Sequence, residues 1–273
     1  MIFLVTALSH EAGPLIRHFH LSKAEGSLPV FSGEEITLIE TGSGPLSAAA
    51  VTAAVLARSA VQPADFLINL GIAAGLHQEA KGSMVLIHRL SDLSSGRDYY
   101  PDILAASLHE EARLFTGSTV YEDGTDSLPA FSGSAVYDME GAAIFHAASL
   151  FLAPHQMRFL KVISDAGKEL PSSADIRAMI EAVLPQLEAE IEAMKLQCSL
   201  TAPAAIETDA IAALFRPSLS MKRQIHQLLL YCELAGIDWR RTIGQYQEKQ
   251  LLPAKNREEG KKRLEEVRNE LLA

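Results

Sequence analysis

Apolar residues fall along the first two hundred positions in two alternating rhythms. Short runs at Ile2–Leu8, Ile36–Glu40, Phe66–Gly71, Met84–Leu90 and Met157–Ser164 read as strands of a largely buried sheet. Between them lie the Ala-rich stretch Ser47–Ala60, the segment Ile103–Leu114 and a helix opening near Met139, all taken as helical. Ile176, Met179, Ile180, Val183, Leu184, Leu187, Ile191 and Met194 recur at steps of three and four, which predicts one amphipathic helix with a kink at Pro185. This alternation predicts an α/β fold.

Past Ser199–Pro203 the pattern is helical only. Ile225–Ala235 reads as a short apolar helix with Gly236 in the C-cap position, and Lys255–Leu272 as a charged helix whose apolar residues are Leu264, Val267, Leu271 and Leu272. The expected organisation is therefore a body over residues 1–199 and a helical extension over 200–273. The extension is expected to bury little alone and to dock through Leu228, Leu229, Leu230, Leu234 and Trp239 on the body or on a second subunit. The alternative is a module that binds a protein partner. Gly, Ser and Asp crowd Thr116–Ser134, a long loop of the kind that serves as a lid.

Composition sharpens this picture. At 273 residues, with 48% hydrophobic and 21% charged, the chain has ample material for a core. No apolar run reaches the roughly 18 to 20 residues of a membrane span, and Met1–Val5 lacks the basic start and small-residue cleavage site of a signal peptide, so a cytoplasmic protein is expected. Cys198 and Cys232 have no CxxC or His partner spacing and are read as reduced packing residues; no metal site is expected. The net charge of −10 is uneven: residues 200–273 carry 12 Lys and Arg against 10 Asp and Glu, which leaves −12 on residues 1–199. An acidic body argues against nucleic acid as a partner.

Three acids stand at or just beyond the carboxyl ends of strands, where open α/β sheets bind ligands. Glu11 follows the first strand, Asp165 follows the last, and Glu140 sits in Tyr137-Asp138-Met139-Glu140-Gly141-Ala142-Ala143. A desolvated carboxylate in such a place can hold or donate a proton near neutrality. Plainer readings exist: Glu11 as a first-turn carboxylate behind an N-cap Ser9, and Asp165 as a turn residue. Glu140 borders a tight apolar face, where solvated decoration is harder to accommodate. Thr41-Gly42-Ser43-Gly44-Pro45 follows a strand and opens a helix, so its N–H groups suit an anion or a sugar hydroxyl. Asn69-Leu70-Gly71-Ile72-Ala73-Ala74-Gly75 ends a buried strand in residues small enough for a flat ligand to approach. His10 abuts Glu11 and is a further candidate, whereas the other histidines show no metal or triad spacing. No Gly-x-Ser-x-Gly elbow appears.

Taken in order, five blocks resemble the nucleoside phosphorylase and nucleosidase superfamily, especially the 5′-methylthioadenosine/S-adenosylhomocysteine nucleosidases and related futalosine and hopanoid-pathway nucleosidases. They are Thr6–Ala12, Glu40–Gly44, Leu67–Gly75, Ala135–Ala143 and Lys161–Asp165, spanning roughly residues 1–195. The resemblance implies a three-layer α/β/α sandwich around a twisted mixed sheet and cleavage of an N-glycosidic bond; nothing in the sequence calls for a metal or organic cofactor. It casts Asp165 as the acid that protonates a purine-like base, and Glu140 with Met139 as the ribose site. Glu11 would position and deprotonate the attacking water. Gly42, Ser43, Gly71, Ile72 and Lys161 would complete the site, and Tyr121 would stack on the base. Phosphorylases of the family hold phosphate with an arginine and a serine near the Gly71 turn; Asn69 and Ile72 stand there instead, which favours water. Nucleosidases carry a serine where Ile72 stands and an arginine where Lys161 stands. A small-molecule nucleoside and a homodimer are the implied partners. A phosphorylase, or a nucleoside-binding protein without turnover that acts through its tail, remain the alternatives.

Overall fold

The computed structural model describes residues 1–77, 79–104, 107, 109–122, 128–167, 170–201 and 208–272. The chain divides into two compact units, Met1–Thr201 and Ala202–Ala273.

Among the described residues of the first unit, ten strands form one mixed sheet: β1 (Ile2–Thr6), β2 (Ser22–Lys23), β3 (Val30–Ser32), β4 (Ile36–Glu40), β5 (Phe66–Gly75), β6 (Met84–Asp92), β7 (Arg97–Tyr99), β8 (Glu111–Thr116), β9 (Ala135–Asp138) and β10 (Met157–Asp165). β1 lies parallel between β4 and β5, and β5 lies parallel to β10. β10 also pairs antiparallel with β6, β6 runs parallel to β8, and β8 parallel to β9. β9 returns antiparallel to the far end of β5, at Ala74 and Gly75. Five strands, β5, β10, β6, β8 and β9, thus close into a ring, from which β1, β4, β3 and β2 extend beyond β5 and β7 beyond β6.

Strand alternation builds the layers. Ile2 and Leu4 of β1 point into a core with Ala12 and Leu15 of α1 (Ser9–His18), Ile176 and Ile180, and Leu187, Ile191 and Met194. Phe3 and Val5 point the other way, against Ala48, Val55 and Leu56 of α2 (Pro45–Leu56) and Ala142, Ile144 and Phe145 of α3 (Gly141–Ala148). With side chains of period two apolar on both faces, each face must be covered, which yields three layers. Each large apolar side chain withdrawn from water contributes about 1.5–3 kcal/mol.

Several expectations need correction. Residues 111–114, placed at the end of the helical segment Ile103–Leu114, and Thr116, placed at the start of a loop, belong instead to β8 (Glu111–Thr116), whose Ala112, Leu114 and Phe115 are buried in the ring. The amphipathic run 176–194 is two helices, α4 (Ser173–Ala182) and α5 (Leu184–Thr201). The break falls at Val183, because Pro185 has no N–H to continue the first helix and suits the opening turn of the second. Leu8, not Ser9, is the N-cap of α1.

The second unit holds α6 (Thr208–Ala213), α7 (Leu219–Leu234), α8 (Trp239–Glu248) and α9 (Arg257–Leu272). The C-cap of α7 is Ala235, one residue before the expected Gly236, which follows it with φ +67°; the Gly236 N–H donates to Glu233 O, and the Ile237 N–H donates to Cys232 O at 2.8 Å. Contrary to expectation, this extension buries a core of its own, with Phe215, Ile225, Leu229, Trp239, Ile243, Leu252, Leu264 and Val267. Loops between the helices contribute Phe215 and Leu252, which helix-by-helix inspection overlooks. Gly260 makes the packing close: a Cβ there would lie 1.8 Å from Phe215 O. Cys198 and Cys232 are both free and buried.

Candidate active site

The ends of β1, β5, β9 and β10 and the turn after β4 surround a cavity of about 180 Å³. Glu11, Ser43, Ile72, Tyr121, Met139, Glu140 and Asp165 all line it, together with Asp138 and Ser164. Residues from Glu11 to Asp165 therefore meet because the parallel strands β1, β5 and β10 deliver their carboxyl ends to one side, and β9, antiparallel to the end of β5, brings Asp138, Met139 and Glu140 to it.

Glu11 is nearly inaccessible to solvent and reaches back over the end of β1. Its Oε2 accepts the N–H groups of Ala7 and Leu8, each at 2.9 Å, and its Oε1 accepts the N–H of Ile72 at 2.9 Å. At the third position of α1 it satisfies amides that the helix leaves unpaired, as the plainer reading of this residue requires, and it also crosses to β5. Burial pushes its carboxyl above the usual range, opposed by the Ile72, Leu8 and Ala7 amides and by Lys161. Gly71 makes room for it: a Cβ there would sit 3.1 Å from Glu11 Oε1 and 3.5 Å from Lys161 Nζ.

Glu140 is the N-cap residue of α3, and its Oε1 accepts the N–H of Gly44 at 2.7 Å and the Ser43 hydroxyl at 3.3 Å. Gly42 and Gly44 have φ of +76° and +93°, left-handed values that let the turn present these donors at the start of α2. Burial raises the Glu140 carboxyl to about 7, and the negative charge of Asp138 adds to the rise; Gly44 N–H and Lys161 act in the opposite direction.

Asp165 ends β10 just past a register shift between Ile163 and Asp165. Its Oδ2 accepts the Ser164 hydroxyl and its Oδ1 the Gly167 N–H, both at 2.6 Å. It is half-buried, where Glu11 and Glu140 are buried. Tyr121 packs on Tyr137 with ring centroids 5.2 Å apart, and the Tyr137 hydroxyl donates to Thr119 O. Of the loop Thr116–Ser134, residues 123–127 lie outside the described ones.

Four candidates are placed differently from expectation. Lys161 does not line the cavity; its Nζ is paired with Asp138 Oδ2 at 2.8 Å, both side chains buried. Gly42 and Gly71 shape the walls without lining them. His10 faces away, its Nε2 2.8 Å from Ser173 Oγ and its Nδ1 3.1 Å from Arg177 Nη1. Asp138 is the residue that sequence reasoning missed. Beyond Lys161 it accepts Thr116 Oγ1 at 2.7 Å and the Gly141 N–H at 2.8 Å. Its signal was its position directly beside Met139 and Glu140 at the end of an apolar run.

No protein-family model and no curated protein matches the sequence. Solved structures do. The fold is similar to 5′-methylthioadenosine nucleosidase of Arabidopsis thaliana in apo form, with a TM-score of 0.59 and 19% identity, over 71% of this chain and 95% of that one. It is also similar to a variant 5′-methylthioadenosine nucleosidase of Helicobacter pylori with 5′-methylthioadenosine in the active site (TM-score 0.54, 16% identity, 70% of this chain and 97% of that one). Futalosine hydrolase of Helicobacter pylori follows at TM-score 0.52 and 16% identity, with 70% and 97% covered. This chain therefore shares the fold of these solved structures.

Proposed function

We propose that the chain is a nucleosidase that hydrolyses the N-glycosidic bond of a purine-type nucleoside. The observation that carries this reading is the convergence of Glu11, Glu140 and Asp165 on one cavity, each in a different environment. Breaking a glycosidic bond to a nitrogen base needs a proton at the leaving base, negative charge beside the developing ribosyl cation and a base for the nucleophile.

Asp165, the least buried of the three, is assigned to the base. As the bond breaks, its proton passes to the purine ring, and the Ser164 and Gly167 donors stabilise the carboxylate left behind. Glu140 is assigned to the ribose hydroxyls, where desolvation strengthens its attraction for the cationic sugar. Glu11 is assigned to the water: burial raises its proton affinity, and the amides of Ala7, Leu8 and Ile72 hold its carboxylate in place. Tyr121 and Met139 are assigned to apolar contact with base and sugar.

Water rather than phosphate is favoured because none of the described lining residues is cationic. The test is release of free base from methylthioadenosine, adenosylhomocysteine, adenosine, inosine and futalosine, with and without phosphate, by wild type and Asp165→Asn. Phosphate-independent release that falls at least about 100-fold in the variant supports the reading. Release that requires phosphate overturns the water assignment, and binding without release moves the assignment to a nucleoside-binding protein. A homodimer belongs to the same reading and is tested by sedimentation.

A further inference from the structure

Resting on the nucleoside reading of the cavity, we propose that Asp138 is a specificity-determining residue: it withholds the Lys161 ammonium from anions, so that the site excludes phosphate as a nucleophile.

The geometry supports this in three steps. Lys161 Nζ lies directly behind the lining, beside Gly71 and close to Glu11, and its partner Asp138 is itself a lining residue. That ammonium lies 3.5 Å from where a Cβ on Gly71 would stand, next to the lining residue Ile72. Asp138 is held rigidly for its task, since Thr116 Oγ1 fixes Oδ1, the Gly141 N–H fixes Oδ2, and Thr116 Oγ1 in turn accepts the Ala142 N–H at 3.0 Å. Finally, the other charged groups that face this pair are all acids: Glu11 from α1, Glu140 at the start of α3 and Asp165 at the end of β10. A dianion entering the cavity meets these carboxylates, and the cation that would offset them is already neutralised. A neutral nucleoside and water meet no such barrier.

Asparagine at position 138 removes the charge while retaining the shape. Its amide oxygen can still accept from Gly141 and Lys161, and its NH2 can donate to Thr116 Oγ1. Isothermal titration calorimetry with inorganic phosphate at pH 7 is the test. Wild type is expected to give no binding heat, folded Asp138→Asn to bind phosphate, and the double substitution Asp138→Asn with Lys161→Gln to bind none. Should Asp138→Asn fail to fold, Asp138→Ser takes its place. Phosphate binding by wild type overturns the proposal without any variant. So does a folded charge-neutral variant that binds none, or a double variant that binds as well as the single one. The readout needs no turnover, so a chain that cleaves no nucleoside ends the hydrolase reading and leaves this test standing.

Discussion

Glu11 and Ile72 stand 61 positions apart in sequence, yet the Ile72 N–H donates to Glu11 Oε1 at 2.9 Å. The carboxylate proposed to handle water is thus fixed by the backbone of the central strand β5, whatever side chain position 72 carries. Ile72 replaces the serine expected from the resemblance without disturbing this bond, because the donor is the main chain.

Glu11→Gln cannot satisfy this arrangement. Its oxygen can face the Ala7 and Leu8 amides or the Ile72 amide, and its NH2 then opposes the remaining N–H. The expected result is a loss of about 1–3 kcal/mol in stability from mismatched buried donors, with kcat falling roughly 10²- to 10⁴-fold. Urea unfolding and steady-state kinetics check the two together.

Stability should fall as pH rises through neutrality. Glu140 has a folded-state value of about 7 against 4.5 for the free side chain, so between these values the native state holds the proton more tightly than the unfolded chain. Its contribution is fully present below about 4.5 and is lost as pH rises through about 7. Glu11, also raised, has the same sign. Replacing Glu140 by Gln should reduce the difference in unfolding free energy between pH 5 and pH 8 by on the order of 1–3 kcal/mol. An unchanged difference would sink the assignment of Glu140 as a desolvated acid.

Gly71→Ala places a methyl group 3.1 Å from Glu11 Oε1. The carboxylate must shift by a few tenths of an ångström, away from the Ile72 amide. Turnover should fall about tenfold or more through misplacement, with little change in substrate affinity. A fall in affinity with kcat unchanged would place Glu11 outside the chemical step.

Trp239→Ala removes a buried ring from the core of the second unit, together with its Nε1 bond to Glu233 at 3.0 Å. A loss of about 3–5 kcal/mol is expected in that unit's unfolding. Base release at 25 °C should persist, since the residues assigned to it lie in Met1–Thr201. Loss of activity in a folded variant would make the tail part of the catalytic apparatus.

The sequence shows the long buried strands because nothing in them competes with the apolar reading: β5 and β10 bury almost every residue. It hides β8, where Glu111 and Arg113 alternate with buried Ala112 and Leu114, and β9, too short for any periodicity. Glu11, Glu140 and Asp165 are legible from their places at strand ends. Asp138 is not, since its meaning depends on Lys161, 23 positions later, and on Thr116, 22 positions earlier. The tail's core escapes because it is assembled from short helices and the turns between them, none apolar enough to announce a core.

The closed ring of five strands has a kinetic consequence. A strand at an open margin can peel away singly, whereas β10 is bonded to β5 and β6, and β5 to β1, β9 and β10, so freeing either means rupturing two or three ladders at once. The backbone that carries Lys161 and Asp165 is therefore shielded from fraying, and slow hydrogen exchange is the expected outcome for its amides. β2 and β3, at the free margin, are where solvent first gains entry.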